Sequence, residues 1–264
     1  MSLKELAPSF YNRMSNLAEA AGSGKKLLEI GCSDGLLEEK LQKKFTSLTG
    51  IDTNSSDIEI ARKSGIKNAK FLVANAEKLP FKSSTFDKII CSEVLEHVDD
   101  DAKAIREMRR VLKGSGEAII TVPQKNYPFT FDPINAVLET LFRRHLPLGV
   151  YGYGDKRAYG YAELKKLFEK NGFEIIEIRF LSHYLLGLCE NYLSQMLQPL
   201  VKTDYSNKAK FGKAPAIRRD KKPPKALARI RDFIISADEK LFKNSRTSID
   251  IMIIARKKKS GGKK

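Results

Sequence analysis

The chain has 264 residues, long enough for one α/β domain with appended elements or at most two small domains. Its 42% hydrophobic and 30% charged residues are an ordinary balance for a soluble globular protein. No apolar run reaches the roughly 18 residues that a membrane-crossing helix needs. The opening MSLKELAPSF lacks the basic patch, apolar run and small-residue cleavage site of a secretory signal. The net charge of +16 is unevenly placed: residues 202–264 hold 20 basic against 6 acidic residues, or +14, whereas residues 1–201 hold 28 against 26, only +2. Cys32, Cys91 and Cys189 match neither a metal spacing nor a disulfide framework, so the expectation is a cytoplasmic chain in a reducing compartment, without a metal.

In chain order, Lys25–Ile30, Thr46–Ile51, Ala69–Ala74, Phe86–Cys91 and Gly116–Val122 read as short buried strands bounded by Gly or polar turns. Amphipathic stretches separate them, the clearest being Asp100–Lys113, with Ile105, Met108 and Leu112 on one face and Gly114 as its stop. This alternation predicts right-handed βαβ units and a mostly parallel sheet. Residues 124–156 break the rhythm with aromatics and turn formers and read as a lid or loop. A helix is expected at Tyr161–Asn171, stopped by Gly172, then strands at Phe173–Phe180 and Ser248–Ala255. Between those strands, His183–Gln198 and Lys225–Phe242 carry helical stripes, the second formed by Leu227, Ile230, Ile234, Ala237 and Leu241. The basic, Pro-containing linker between them and the KKKSGGKK tail read as flexible.

The first strand runs into LLEIGCSDG, residues 27–35. Gly31 lets the chain turn sharply off the strand, Gly35 permits close approach of a helix, and amides at the following helix start favour an electronegative group. Asp52 ends the second strand about 20 residues later, where a carboxylate can accept two hydrogen bonds from a ribose diol. Asp57 competes with it for the simpler task of capping a helix. A dinucleotide fingerprint would read G-x-G-x-x-G, because a pyrophosphate rests on the amides. Here acidic residues stand at positions 29 and 34, which repel a pyrophosphate and suit a cationic ligand with an amino acid moiety.

On these residues the chain resembles the class I S-adenosylmethionine-dependent methyltransferases, in particular the ubiquinone- and menaquinone-type small-molecule branch (methyltransferase type 11-like). LLEIGCSDG is similar to that family's E/D-x-G-x-G-x-G motif, with Ser33 in place of the middle Gly. The pair Ile51-Asp52 matches its ribose-binding acid, and NAEKLPF at 75–81 its third-strand loop, with Asn75 where Asp is usual. FDKIICSEVLEHV at 86–98, MRRVLKGSGEAIITVP at 108–123 and RAYGYAELKKLFEKNGFEI at 157–175 follow in order. The resemblance implies an α/β, Rossmann-like seven-stranded mostly parallel sheet with helices on both faces. It implies that Ser248–Ala255 inserts between the fifth and sixth strands as part of an antiparallel hairpin. The expected division is a core of 1–180 and 248–256, a basic helical insertion at 181–247 before the last strand, and a tail at 257–264.

The resemblance also implies the cofactor S-adenosyl-L-methionine, held by Glu29, Gly31, Cys32, Ser33, Gly35, Asp52, Thr53, Asn75, Ala76, Glu77, Ser92 and Glu93, with Tyr11 closing over the methionine part. His97, the only histidine among the motifs, is the candidate general base for an oxygen nucleophile. Tyr127, Phe129, Tyr151, Tyr153 and Tyr159 are candidates for a substrate lid. No DPPY- or NPPF-like run follows the fourth strand, which counts against planar nitrogens as acceptors, and Cys91 precedes no Pro, which counts against an RNA 5-methylpyrimidine mechanism. The expected acceptor is a small or lipid-like molecule. For the basic quarter, a solvated surface, an anionic membrane surface and RNA phosphates all stay open, with the membrane ranked above RNA. The alternatives carried alongside are an RNA methyltransferase and an inactive methyltransferase-fold binding protein.

Overall fold

The computed structural model describes residues 7–125, 133–142, 157–189 and 224–258. The chain divides into two compact units: residues 16–122, 159–179 and 252–264 form one, and residues 1–15, 123–158 and 180–251 the other.

The first unit is built on a seven-stranded sheet in the order β3-β2-β1-β4-β5-β7-β6. Its strands are β1 (Gly24–Ile30), β2 (Phe45–Asp52), β3 (Ala69–Val73), β4 (Phe86–Ser92), β5 (Leu112–Pro123), β6 (Phe173–Leu181) and β7 (Asp250–Lys257). β1 through β5 pair in parallel. β7 runs antiparallel to β6, since Lys258 N–H bonds Gly172 at one end and Ile249 N–H bonds Ser182 at the other. The expected insertion of the last strand between the fifth and sixth is therefore present.

Consecutive residues Leu27–Leu28, Ile89–Ile90 and Ile119–Ile120 are all fully buried. Alternate side chains point to opposite faces, so this pattern requires cover on both sides of the sheet. The helices of this unit are α2 (Leu36–Leu41), α3 (Ser55–Arg62), α4 (Asp101–Val111) and α6 (Tyr161–Lys170), with α1 (Pro8–Ala21) entering it from residue 16. Their starts are chemically marked. Asn54 accepts the Ser56 amide at the start of α3, and Asp100 accepts the Lys103 amide at 2.8 Å at the start of α4. Asp57 is not the cap.

α4 ends two residues before the expected Lys113, and Gly114 does not stop it. The chain passes directly into β5, because Leu112 is fully buried opposite Phe86; a register shift between Phe86 and Lys88 absorbs the early start.

The second unit holds α5 (Pro133–Phe142), α7 (Tyr184–Leu188) and α8 (Lys225–Leu241). α5 lies where only a lid or loop was expected, and its proline occupies the first helical position, where no amide is missed. The expected helix His183–Gln198 is described only to residue 189. Within this unit Gln124 Oε1 accepts the Ser248 amide at 2.6 Å, and Arg13 pairs with the buried Asp250 at 2.8 Å.

α8 reverses the usual arrangement of an amphipathic helix. Its fully buried side chains are Arg231 and Asp238, whereas Leu227, Ile230, Phe233 and Leu241 face outward, between 47% and 74% exposed. Asp238 accepts the amides of His183, Leu185 and Leu186 and so caps α7. Arg231 lies over the Tyr11 ring at 3.3 Å and bonds Asp232.

Candidate functional site

The C-terminal ends of β1, β2 and β4 bring most of the candidate residues together, at the switch point of the parallel sheet where α/β folds hold ligands. The loop leaving β1 is a chain of left-handed positions: Gly31 at φ 82°, Ser33 at φ 45° and Gly35 at φ 79°. Gly31 has a steric reason as well, since a Cβ there would stand 2.4 Å from a Val94 methyl. At Gly35 a Cβ would press on the Phe71 ring at 2.9 Å and on Ala61 at 3.3 Å, the close approach expected of it.

Ser33 occupies a conformation that favours glycine, and two hydrogen bonds hold it there. Its amide donates to Asp52 Oδ2 at 2.9 Å and its hydroxyl to Asp57 at 3.0 Å. Gly31 N and Cys32 N both donate to Ile51 O at 2.8 and 3.0 Å, and Gly35 N to Cys32 O at 2.9 Å. The first two amides clamp the β1 loop to the end of β2, and the third closes the loop on itself.

What the clamp produces is a fixed carboxylate. Asp52 receives the Ser33 amide on Oδ2 and the Asn54 amide on Oδ1 at 2.8 Å, which leaves a lone pair on each oxygen for a diol. Thr53 beside it is exposed.

Beneath the loop, Glu29 on β1 is 96% buried by its own neighbours, being 4% exposed. Its Oε2 finds no hydrogen-bond partner among the described residues. Burial first, then the fully buried Glu38 of α2, push its carboxyl well above the ordinary range; Asp34 and Asp52 add to this. Burial and the same carboxylates also push the Cys32 thiol far up, so it is an inert apolar filler. Burial does the same for Cys91.

Asn75 and Ala76 follow β3, the first exposed and the second buried. Asn75 Oδ1 accepts the Glu77 amide at 2.8 Å, which fixes the side chain in a tight turn and leaves that oxygen one further lone pair. Glu77 has a structural use: Oε1 accepts the amides of Asp99 and Asp100 just before α4. α4 reciprocates, with Glu107 accepting the Leu79 amide at 2.8 Å and Arg110 donating to the carbonyls of Leu79 and Phe81.

At the end of β4, Ser92 Oγ lies 2.9 Å from Thr121 Oγ1, and the Glu93 amide donates to Thr121 O with Glu93 at φ 52°. That turn carries His97, 46% exposed, with Nε2 3.8 Å from the buried Glu96 carboxylate.

Sequence reasoning did not find Glu38, Thr121 or Val94. Only Glu38 left a signal, as a carboxylate in the apolar stripe of α2. Among the lid candidates, Tyr159 is a buried tether whose hydroxyl bonds Leu95 O and Asp101, both at 3.0 Å. The other four, Tyr127, Phe129, Tyr151 and Tyr153, lie outside the described residues. Tyr11 belongs to the second unit, under Arg231.

The methyltransferase domain family matches residues 28–120. A ubiquinone biosynthesis O-methyltransferase of Pseudomonas aeruginosa is 35% identical over 122 residues, which are 43% of this chain and 51% of that protein. The enzyme of the same description from Coxiella burnetii is 28% identical over 167 residues, 62% of this chain and 69% of that protein. The chain thus spans about half the length of the first of these relatives. The solved structure of an S-adenosylmethionine-dependent methyltransferase from Mesorhizobium loti shares the fold, with a TM-score of 0.55 at 16% identity, covering 92% of this chain and 96% of that one. Residues 28–120 thus match a methyltransferase domain family, and the chain shares its fold with a solved S-adenosylmethionine-dependent methyltransferase.

Proposed function

We propose that this chain binds S-adenosylmethionine at the ends of β1, β2 and β4 and transfers its methyl group to a small or lipid-like acceptor. The observation that carries this reading is the Asp52 carboxylate, held by two backbone amides with acceptor capacity left for a ribose diol. The donor set fits the cofactor in a second respect. Glu29 keeps a buried oxygen without a hydrogen-bond partner among the described residues, as a counter-group for an ammonium would.

In this reading Glu29 and Asp52 bind, while Gly31, Cys32, Ser33 and Gly35 shape the loop that holds them. Thr53, Asn75, Ala76, Ser92 and Glu93 line the adenosine side, and Glu77 secures the Asn75 loop against α4. The bound cofactor supplies a methyl group already activated by its sulfonium charge, so the protein's main task is alignment, a contribution of roughly 7–11 kcal/mol where reactants are well oriented. His97, on the β4 turn, partly open to solvent and with Nε2 3.8 Å from the Glu96 carboxylate, takes the proton of an oxygen nucleophile. The likeness to ubiquinone biosynthesis O-methyltransferases supports a hydroxyl on an apolar molecule as the acceptor.

The test is transfer of a tritiated methyl from the cofactor into cell extracts separated into lipid and water-soluble fractions. Label in the lipid fraction, lost in His97→Asn while cofactor binding is kept, is the expected result. Label confined to RNA or to protein would overturn the acceptor class.

A further inference from the structure

The reversed helix α8 belongs to the second unit, whereas the cofactor-site residues belong to the first. Its outward stripe of Leu227, Ile230, Phe233 and Leu241 is bordered by Lys225, Arg229 and Lys240, all exposed and brought to one strip by their spacing. Asp232 and Glu239 fall beyond that strip, and Asp232 is engaged by Arg231. The helix is fastened to its own unit by Arg231 over Tyr11 and by Asp238 on the α7 amides, while Leu227, Ile230, Phe233 and Leu241 stay exposed. α5 in the same unit repeats the pattern. Val137, Leu141 and Phe142 are 53%, 67% and 63% exposed, and Arg143-Arg144 follow in sequence.

We propose that α8 is a membrane-docking element, its apolar stripe entering the headgroup boundary of an anionic bilayer while Lys225, Arg229 and Lys240 meet the lipid phosphates. An apolar stripe edged by cations is the pattern of a helix lying in the plane of the interface. Charge selects this occupant. A second copy would bring the same basic strip, and the net +16 of the whole chain, against its own kind. RNA would satisfy the cations and stack a base on Phe233, but it offers nothing to bury Leu227, Ile230 and Leu241 together. No described helix is long and apolar enough to cross a membrane, so the docking is peripheral. The inference does not depend on methyl transfer.

The experiment is co-sedimentation of the full chain with phosphatidylcholine vesicles, with and without about a third phosphatidylglycerol. Two variants accompany the wild type: Ile230→Ala/Phe233→Ala and Lys225→Gln/Arg229→Gln/Lys240→Gln. All of these side chains are exposed, so the fold and cofactor binding are expected to survive. The wild type is expected to partition onto the anionic vesicles and to be released by salt. Each removed cation should weaken binding about fivefold, the triple variant roughly a hundredfold. The double variant should bind at least tenfold more weakly even at low salt.

Equal binding of wild type and double variant, or no preference for anionic lipid, overturns the proposal. So does a fall of several degrees in the double variant's Tm, which would mean that other residues of the chain cover the stripe. A dimer that the double variant turns into a monomer would assign the stripe to a second copy, again overturning it.

Discussion

Ser33 shows how one side chain can compensate for a conformation that glycine adopts freely. A non-glycine residue in the left-handed region costs about 1–3 kcal/mol, and the hydroxyl bond to Asp57 offsets about 1 kcal/mol of that. Ser33→Ala keeps the strain and loses the bond, so it should destabilise by about 1 kcal/mol in denaturant unfolding. Ser33→Gly loses both and should stay within about 1 kcal/mol of wild type; a glycine variant clearly worse than the alanine variant would contradict this reading.

Glu29 is the opposite case, a residue kept against the interest of stability. Its carboxyl titrates above 4.5 when folded because burial and the neighbouring Glu38 disfavour its charge. Between about 4.5 and that raised value the folded chain holds a proton that the unfolded chain releases. Stability therefore declines as pH rises through this window, by at most about 1.4 kcal/mol per unit, and levels off above it. Asp87, Glu107 and Glu117 act in the other direction, their carboxyls held low by Lys113, Arg110, and Lys88 with Arg256; their contribution is lost on acidification. Glu29→Gln leaves those groups in place, so the difference between the two unfolding curves isolates Glu29. The variant should be the more stable protein at pH 8 and converge with wild type toward pH 4. Parallel curves would contradict the assignment.

At the scale of elements, the strands were legible because runs such as Leu27–Leu28 and Ile89–Cys91 are buried on both faces, and continuous apolarity survives any error of register. The helix ends were less so. Gly114 looks like a stop in one dimension, but β-pairing of Leu112 with Phe86 claims the chain first. The site was legible where a residue type is dictated by backbone geometry, as at Gly31 and Gly35, or stands at a strand end, as at Asp52. It was illegible where the partner is distant in sequence, as with Val94 against Gly31, Thr121 against Ser92, and Glu38 under Glu29.

α8 is the sharpest lesson at this scale. Periodicity grouped Leu227, Ile230, Ile234, Ala237 and Leu241, whereas the exposed side chains are Leu227, Ile230, Phe233 and Leu241, with Ile234 and Ala237 half-buried. The side that faces the unit was decided by Asp238, fully buried and accepting three amides of the α7 start. Asp238→Ala should cost about 2–4 kcal/mol, because it strands buried donors. Asp238→Asn should cost less, since one acceptor oxygen remains. Equal effects from the two substitutions would show that the cap contributes little.

For the whole molecule, the account divides the labour. The sheet-bearing unit fixes two carboxylates at one end of its parallel strands, one clamped by amides and exposed enough to bind, the other buried in an electrostatically unfavourable place. The second unit carries the outward apolar stripe and most of the excess positive charge. Calorimetric titration with S-adenosylmethionine and with its demethylated product, on wild type and on Asp52→Ala, tests the central claim most directly. The account predicts micromolar binding of both ligands to wild type, and a loss of tenfold or more in a variant whose circular dichroism remains native. Absence of binding to a well-folded wild type, or full affinity in Asp52→Ala, would contradict it.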